Sequence, residues 1–228
     1  MPDNLNSNVL ITLWVLLAII STSSHAQPLE LHTGRVESYT LPAPSDSSAS
    51  PVKPHKASIS PHPYSISIGA ISQTKISDEA DVDSRPGTPR KIGFGRDVPQ
   101  LGSITDTSTS LKWQNTPQGG KIAAISITSP QATGIRVGIM VSRLPAEAIF
   151  RFYSQRAGVA YEIAGKEIME TIQRNLDAGD SSDAAQTYWS PHVEGEEVTL
   201  EIELPAAISL DTLEIAIPSV SHFFLAPS

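Results

Sequence analysis

From Glu197 to Leu204 the chain alternates strictly, with Val198, Leu200, Ile202 and Leu204 on one face and Thr199, Glu201 and Glu203 on the other. A period of two marks a strand with one dry and one wet face, so Glu201 and Glu203 are expected in solvent. Leu213, Ile215 and Ile217 repeat the pattern against Thr212, Glu214 and Ala216, after a short connection rich in Pro and Ala. Upstream, Ala123, Ile125 and Ile127 oppose Ile122, Ala124, Ser126 and Thr128, following the turn Gln118-Gly119-Gly120. Ile135, Val137, Ile139 and Val141 form the next alternating run, closed by Leu144-Pro145. In the run after that, Ala148, Phe150 and Phe152 oppose Ile149, Arg151 and Tyr153. Strands recurring about every dozen residues with Gly and Pro between them predict a mainly β fold, an antiparallel β-sandwich of jelly-roll-like type.

One stretch breaks the rhythm. Ile168, Ile172 and Leu176 recur at every fourth position, with Glu167, Glu170, Gln173 and Arg174 between them. That spacing predicts one short amphipathic helix over Gly165–Leu176. Gly179 stops it, and the helix is expected to cap one open end of the sandwich.

The N-terminal part is organised differently. Val9–Ile20 is a largely apolar run, too short to cross roughly 30 Å of hydrocarbon as a helix. Small residues at Ser24 and Ala26 then fit cleavage before Gln27, so residues 1–26 are expected to be a signal peptide, although Met1–Asn8 holds Asp3 and no Lys or Arg. Residues 27–90 are rich in Pro and Ser, from Pro42 through Pro89, and are expected to be linker. Two islands interrupt that stretch, Leu29–Leu41 as a candidate short strand pair and Tyr64–Ile68 as a candidate strand at an edge of the later sheet. Ser77–Asp83 reads as solvated loop. Residues 91–228 are then expected to form the β-sandwich domain.

Composition narrows the functional classes. The chain has 228 residues with 24 acidic and 16 basic side chains, a formal net charge of −8, and no long run of either sign. Phosphate binding needs clustered Lys and Arg, so nucleic acid is not an expected partner. Cysteine is absent, which excludes disulfides, thiolate metal sites and thiol catalysis within these residues. With the signal peptide, this points to a secreted or periplasmic bacterial protein, touching the membrane only through that peptide.

No constellation of side chains carries chemistry. A serine nucleophile needs a His base and an orienting acid. Of six histidines only His192 and His222 lie in the dense region, and neither has a Gly-x-Ser-x-Gly element to serve. His192 reads as a loop residue beside Pro191, and His222 as a strand-end residue. Glu201 and Glu203 share a face as a glycosidase pair would, but on an alternating strand that is a solvated face. Asp177, Asp180 and Asp183 depart from the calcium-loop spacing. Gly93-Phe94-Gly95-Arg96 begins like a phosphate loop but has Val98 where a third glycine should stand, and reads as a bend beside the sheet. Trp113, Trp189, Tyr188 and Tyr153 could form a carbohydrate platform, although aromatics in a small sandwich more often pack its core. No catalytic, cofactor-binding or metal-ligating residue is assigned, and no cofactor is expected.

A resemblance extends this reading. Lys91-Ile92-Gly93-Phe94-Gly95-Arg96, Leu111-Lys112-Trp113, Gly119-Gly120-Lys121-Ile122 and Ile127-Thr128-Ser129-Pro130 are followed in order by Leu144-Pro145, Phe150-Arg151-Phe152-Tyr153, Tyr188-Trp189-Ser190-Pro191, Glu194-Gly195 and Glu201-Ile202-Glu203-Leu204-Pro205. Over about Arg90 to Ser228 this order resembles the non-catalytic N-terminal region of secreted bacterial trypsin-like endopeptidases of the lysyl and arginyl endopeptidase type. The resemblance implies a pro- or accessory domain, truncated from its catalytic barrel or acting in trans, that assists folding, secretion or latency. The implied partner is a trypsin-like peptidase domain, reached through a sheet face or edge or through Phe223-Phe224-Leu225. Processing at Arg85, Arg90, Lys91 or Arg96 stays open, as does the alternative of a secreted carbohydrate- or surface-binding module.

Overall fold

Two sheets, antiparallel apart from one strand pair, account for nearly all the regular structure. The computed structural model describes residues 51–52, 61–72, 74–77, 91–156, 159–180, 182 and 184–225, all within the unit Val36–Ser228. The expected signal peptide and the candidate strand pair Leu29–Leu41 lie outside the described residues, as do 78–83 of the expected loop. The larger sheet runs β1 (Pro51–Val52), β8 (Ala160–Ala164), β7 (Ile149–Tyr153), β11 (Glu197–Leu204), β5 (Lys121–Thr128) and β2 (Tyr64–Ser67), with β4 (Gln114–Asn115) also on β5. The smaller runs β10 (Val193–Glu194), β6 (Gly134–Arg143), β12 (Glu214–Phe223) and β3 (Gly93–Asp97), with β9 (Thr187–Trp189) also on β6.

The core is the set of inward faces the alternation foretold. Val198, Leu200, Ile202 and Leu204 are fully buried beside Ile125, Ile127, Phe150 and Phe152, and meet Ile135, Val137, Ile139 and Ile217 from the other sheet. Each such side chain stabilises the fold by roughly 1.5–3 kcal/mol. The turn at Gln118-Gly119-Gly120 forms as expected, with Gly119 at φ 82° and the Thr116 amide bonded to the Gly120 carbonyl. Tyr64–Ser67 is also a strand of the sheet. It lies parallel to β5, with Ile66 against Ile127, so the sandwich draws in part of the Pro/Ser-rich stretch.

Helix α2 (Gly165–Asp177) buries Ile168 and Ile172 against β8 and β9, which belong to different sheets. It therefore closes an open side of the sandwich, as expected. Any side chain at Gly165 would overlap the Pro145 carbonyl.

A second helix corrects the expectation of one. Helix α1 (Ile104–Ser110) packs on β12, and the Ser103 Oγ at its start accepts the Asp106 amide at 3.1 Å. Ile-Thr-Asp-Thr-Ser-Thr-Ser has poor helix propensity and no apolar stripe. Cap and tertiary packing hold it instead, and Ser103-x-x-Asp106 was the available signal.

Candidate functional surface

On the outer face of the larger sheet, β-ladder partners place Arg151 between Glu201 of β11 and Glu162 of β8. Its Nη1 donates to Glu201 Oε1 and to Glu203 Oε2, each at 2.8 Å, and its Nε to Glu162 Oε2 at 2.7 Å. Tyr153 Oη donates to the other Glu201 oxygen at 3.2 Å. Burial opposes the guanidinium's charge, but hydrogen bonds from Glu203, Glu201 and Glu162 outweigh it and raise the Arg151 pKa. Burial, then the Glu201 charge, raise the Tyr153 pKa.

This overturns the expected wet face. Thr199 is 0% and Glu201 4% exposed. Alternation reveals which residues share a face, not what that face meets. Here long side chains from neighbouring strands cover one another. Both glutamates bind one cation, so neither is set apart as the proton donor that a glycosidase pair requires.

Farther along the same face Glu197 joins three elements. Its Oε1 accepts from Ser126 Oγ and Thr199 Oγ1, each at 2.6 Å, and its Oε2 from the Gln155 amide at 2.9 Å. Glu197 borders an open cleft of about 910 Å³, with Ser65, Thr128, Arg156, His192 and Glu194 among its lining residues. The His192 ring fills the notch left by Gly134, where any Cβ would overlap Nε2, and meets Phe223 edge-on at 4.9 Å. Burial lowers the His192 pKa, with Glu194 opposing it.

His222 lies next to the end of β12, the strand-end position expected. It is fully buried within β12, stacked on Phe94 at 5.0 Å, and its Nδ1 lies 2.7 Å from Ser129 Oγ. Arg96 Nη1 donates to the same hydroxyl at 2.8 Å, and Nη2 to the Ile68 carbonyl at 2.6 Å and the Gly69 carbonyl at 3.1 Å. Ser129 has 0% exposure, so its hydroxyl is out of a substrate's reach. Gly93-Phe94-Gly95-Arg96 is likewise neither phosphate loop nor bend. It is the edge strand β3, and Gly93 keeps its Cα clear of the His222 carbonyl, 2.6 Å from where a Cβ would stand.

The other candidates stay apart. Trp189 lies at the margin of the smaller sheet over Gly138, whereas Trp113 packs on the core just before β4 in the larger sheet. Tyr188 is buried against Phe152. These aromatics make no common platform. Asp177 accepts from Gln173 at 2.7 Å and Asp180 from Ser182 at 2.6 Å, while Asp183 lies outside the described residues. Among the described residues no group of three His, Asp or Glu is placed to hold a metal ion, and no helix is long and apolar enough to cross a membrane.

Comparison with known proteins matches this architecture to a family. The model of the lysyl endopeptidase N-terminal domain matches residues 67–224, reaching upstream of the Arg90 at which the resemblance in sequence begins. The lysyl endopeptidase of Pseudomonas aeruginosa is 30% identical over 164 residues, 69% of this chain. Those residues span 31% of that relative's length. No solved structure matches. The matched span covers β3 through β12, and the chain belongs to the lysyl endopeptidase N-terminal domain family.

Proposed function

We propose that this domain is the non-catalytic pro- or accessory region of a secreted trypsin-like endopeptidase, and that it assists the folding, secretion or latency of a peptidase domain in cis or in trans. The observation that carries this reading is the match of residues 67–224 to a domain defined as N-terminal to a lysyl endopeptidase. The polar groups described above support it, since each is committed to holding strands together. Arg151 is shared by three carboxylates and Glu197 by three elements, and Ser129 is sealed.

The partner would be a folded peptidase domain. The chain leaves β12 beside β3, where the Phe224 and Leu225 amides bond to the Ile92 carbonyl. Half-buried Phe223 and Phe224 offer apolar surface at that corner, suited to a non-covalent interface.

The test is to refold the denatured peptidase region of the Pseudomonas relative with and without purified chain, then assay cleavage of a lysyl peptide substrate. The expected result is a higher refolding yield, or inhibition of the folded peptidase, saturating with added chain. No effect on yield or on rate at a large molar excess would overturn the proposal.

A further inference from the structure

Ser129 and His222 are fully buried, and half-buried Arg96 joins them from an element far away in sequence. Arg96 belongs to β3, Ser129 follows β5, and His222 belongs to β12. The network reaches the surface at Arg96 and at the Ile68 and Gly69 carbonyls, just beyond the end of β2. Strand β2 is a four-residue edge strand, and of its side chains only Ile66 is buried. Its parallel pairing to β5 continues in the bond from the Ile68 amide to the Thr128 carbonyl at 3.0 Å. Short parallel edge pairing is weak by itself. The guanidinium that grips two successive carbonyls therefore has a large share in holding this segment.

The protonation state of the network follows from counting hydrogens. Arg96 donates to Ser129 Oγ, which leaves the hydroxyl proton available to His222 Nδ1, whose role depends on the tautomer. That nitrogen can accept only if the ring is neutral with its proton on Nε2. A second proton would turn Nδ1 into a donor. Ser129 Oγ would then face two cationic donors, and His222⁺ would stand across one oxygen atom from Arg96⁺. Nε2 is buried without a partner, so it offers the new charge no compensation.

The other charges nearby are few. Glu196, in the turn before β11, is the acidic group that acts on His222, but its Oε1 is already bonded to the Gln131 amide at 2.6 Å. Lys75, from the helical turn at 74–77, sits 5.4 Å from the Phe94 ring on which His222 stacks. From β6 the residue paired with His222 is the apolar Ile135.

We propose that Arg96, Ser129 and His222 form an acid-opened clasp, which holds the segment ending in β2, Ile68 and Gly69 on the sandwich at neutral pH and lets it go when His222 takes a proton. Protonation sets repulsion between His222 and Arg96, Arg96 gives up the two carbonyls, and β2 leaves β5. The remaining strands stay paired, because the pairing of β11 with β5 lies outside the clasp and that of β12 with β6 meets it only where His222 stands opposite Ile135. The proposal is independent of any peptidase partner. Burial and then Arg96 hold the His222 pKa down at about 4 in the closed state. The released imidazole should titrate near about 6.5.

Hydrogen–deuterium exchange on the whole chain, corrected for the intrinsic pH dependence of exchange, tests this. Between pH 7 and pH 5, protection of peptides spanning Tyr64–Gly69 should fall about 20-fold through this linkage, while peptides from β6 and β11 keep theirs. His222→Asn supplies a non-titrating acceptor near the place of Nδ1 and should remove the pH dependence of that segment. If that variant does not fold, the wild-type imidazole titration by NMR decides. A His222 transition coincident with loss of protection at Tyr64–Gly69 supports the clasp. Protection that is independent of pH, that is lost together with β6 and β11, or that persists with His222 protonated would overturn it. So would a folded His222→Asn variant that opens with acid like the wild type.

Discussion

Replacing Arg151 with methionine isolates the cost of the buried ion cluster. Arg151 is 6% and Glu201 4% exposed, whereas the Glu162 and Glu203 side chains keep 33% and 29% of their surface. Without the guanidinium, Glu162 and Glu203 can turn to water. Glu201 cannot, and retains only the hydrogen bond from Tyr153. Removing one partner of a buried pair costs about 3–5 kcal/mol, since it leaves an uncompensated charge. At roughly 2–4 °C per kcal/mol for a domain of this size, Arg151→Met should melt about 10 °C below wild type. Adding Glu201→Gln removes the stranded charge, so the double variant should recover about half of the loss or more. Urea unfolding followed by tryptophan fluorescence, on both variants and on Glu201→Gln alone, supplies the cycle. A loss of under about 1 kcal/mol for Arg151→Met, the worth of an exposed pair, would refute the reasoning and put Glu201 in contact with water.

Other outcomes follow from single contacts. Gly134→Ala should cost about 1–3 kcal/mol by overpacking, because its Cβ would collide with the His192 ring; chemical denaturation checks it. Ser103→Ala should cost about 1 kcal/mol by uncapping α1, read as a lower urea midpoint with an unchanged slope. Global stability should fall with acid through His222. Its pKa is depressed in the fold to about 4, so the stabilisation is complete above the unfolded value near about 6.5 and is lost as pH falls towards 4. The full span is worth up to about 3 kcal/mol, and His222→Asn should flatten that part of a pH–stability curve.

The inward faces were legible because burial on one side imposes a period of two, as Val198 to Leu204 and Ile135 to Val141 show. Helix α2 was legible for the equivalent reason at a period near four. The polar side was not. Arg151 sits between Phe150 and Phe152, and an alternating strand assigns it to water as readily as to a ring of glutamates from two other strands. Distinguishing these requires knowing that β8 and β11 flank β7, which is topology and not local pattern. Ser129 and His222 stand 93 positions apart, and Ser-Pro after a strand reads only as a turn. Helix α1 escaped because its stability comes from one cap and from β12, neither of which leaves an apolar stripe. Strand β2 was legible as Tyr64–Ile68, but its parallel pairing to β5 was not, since that partner lies far downstream.

The place of β12 bears on how the domain is made. Strand β12 lies between β6 and β3 in the smaller sheet, yet among the described strands it comes last in sequence. Until Glu214–Phe223 has emerged, β3 and β6 have no common partner, and His222 has not reached Ser129. Pairings of such long sequence separation form slowly. A growing chain would therefore hold the first sheet's strands ready while the second stays open until Glu214–Phe223 has been made. Closure of the sandwich then becomes a signal that synthesis of the domain is finished.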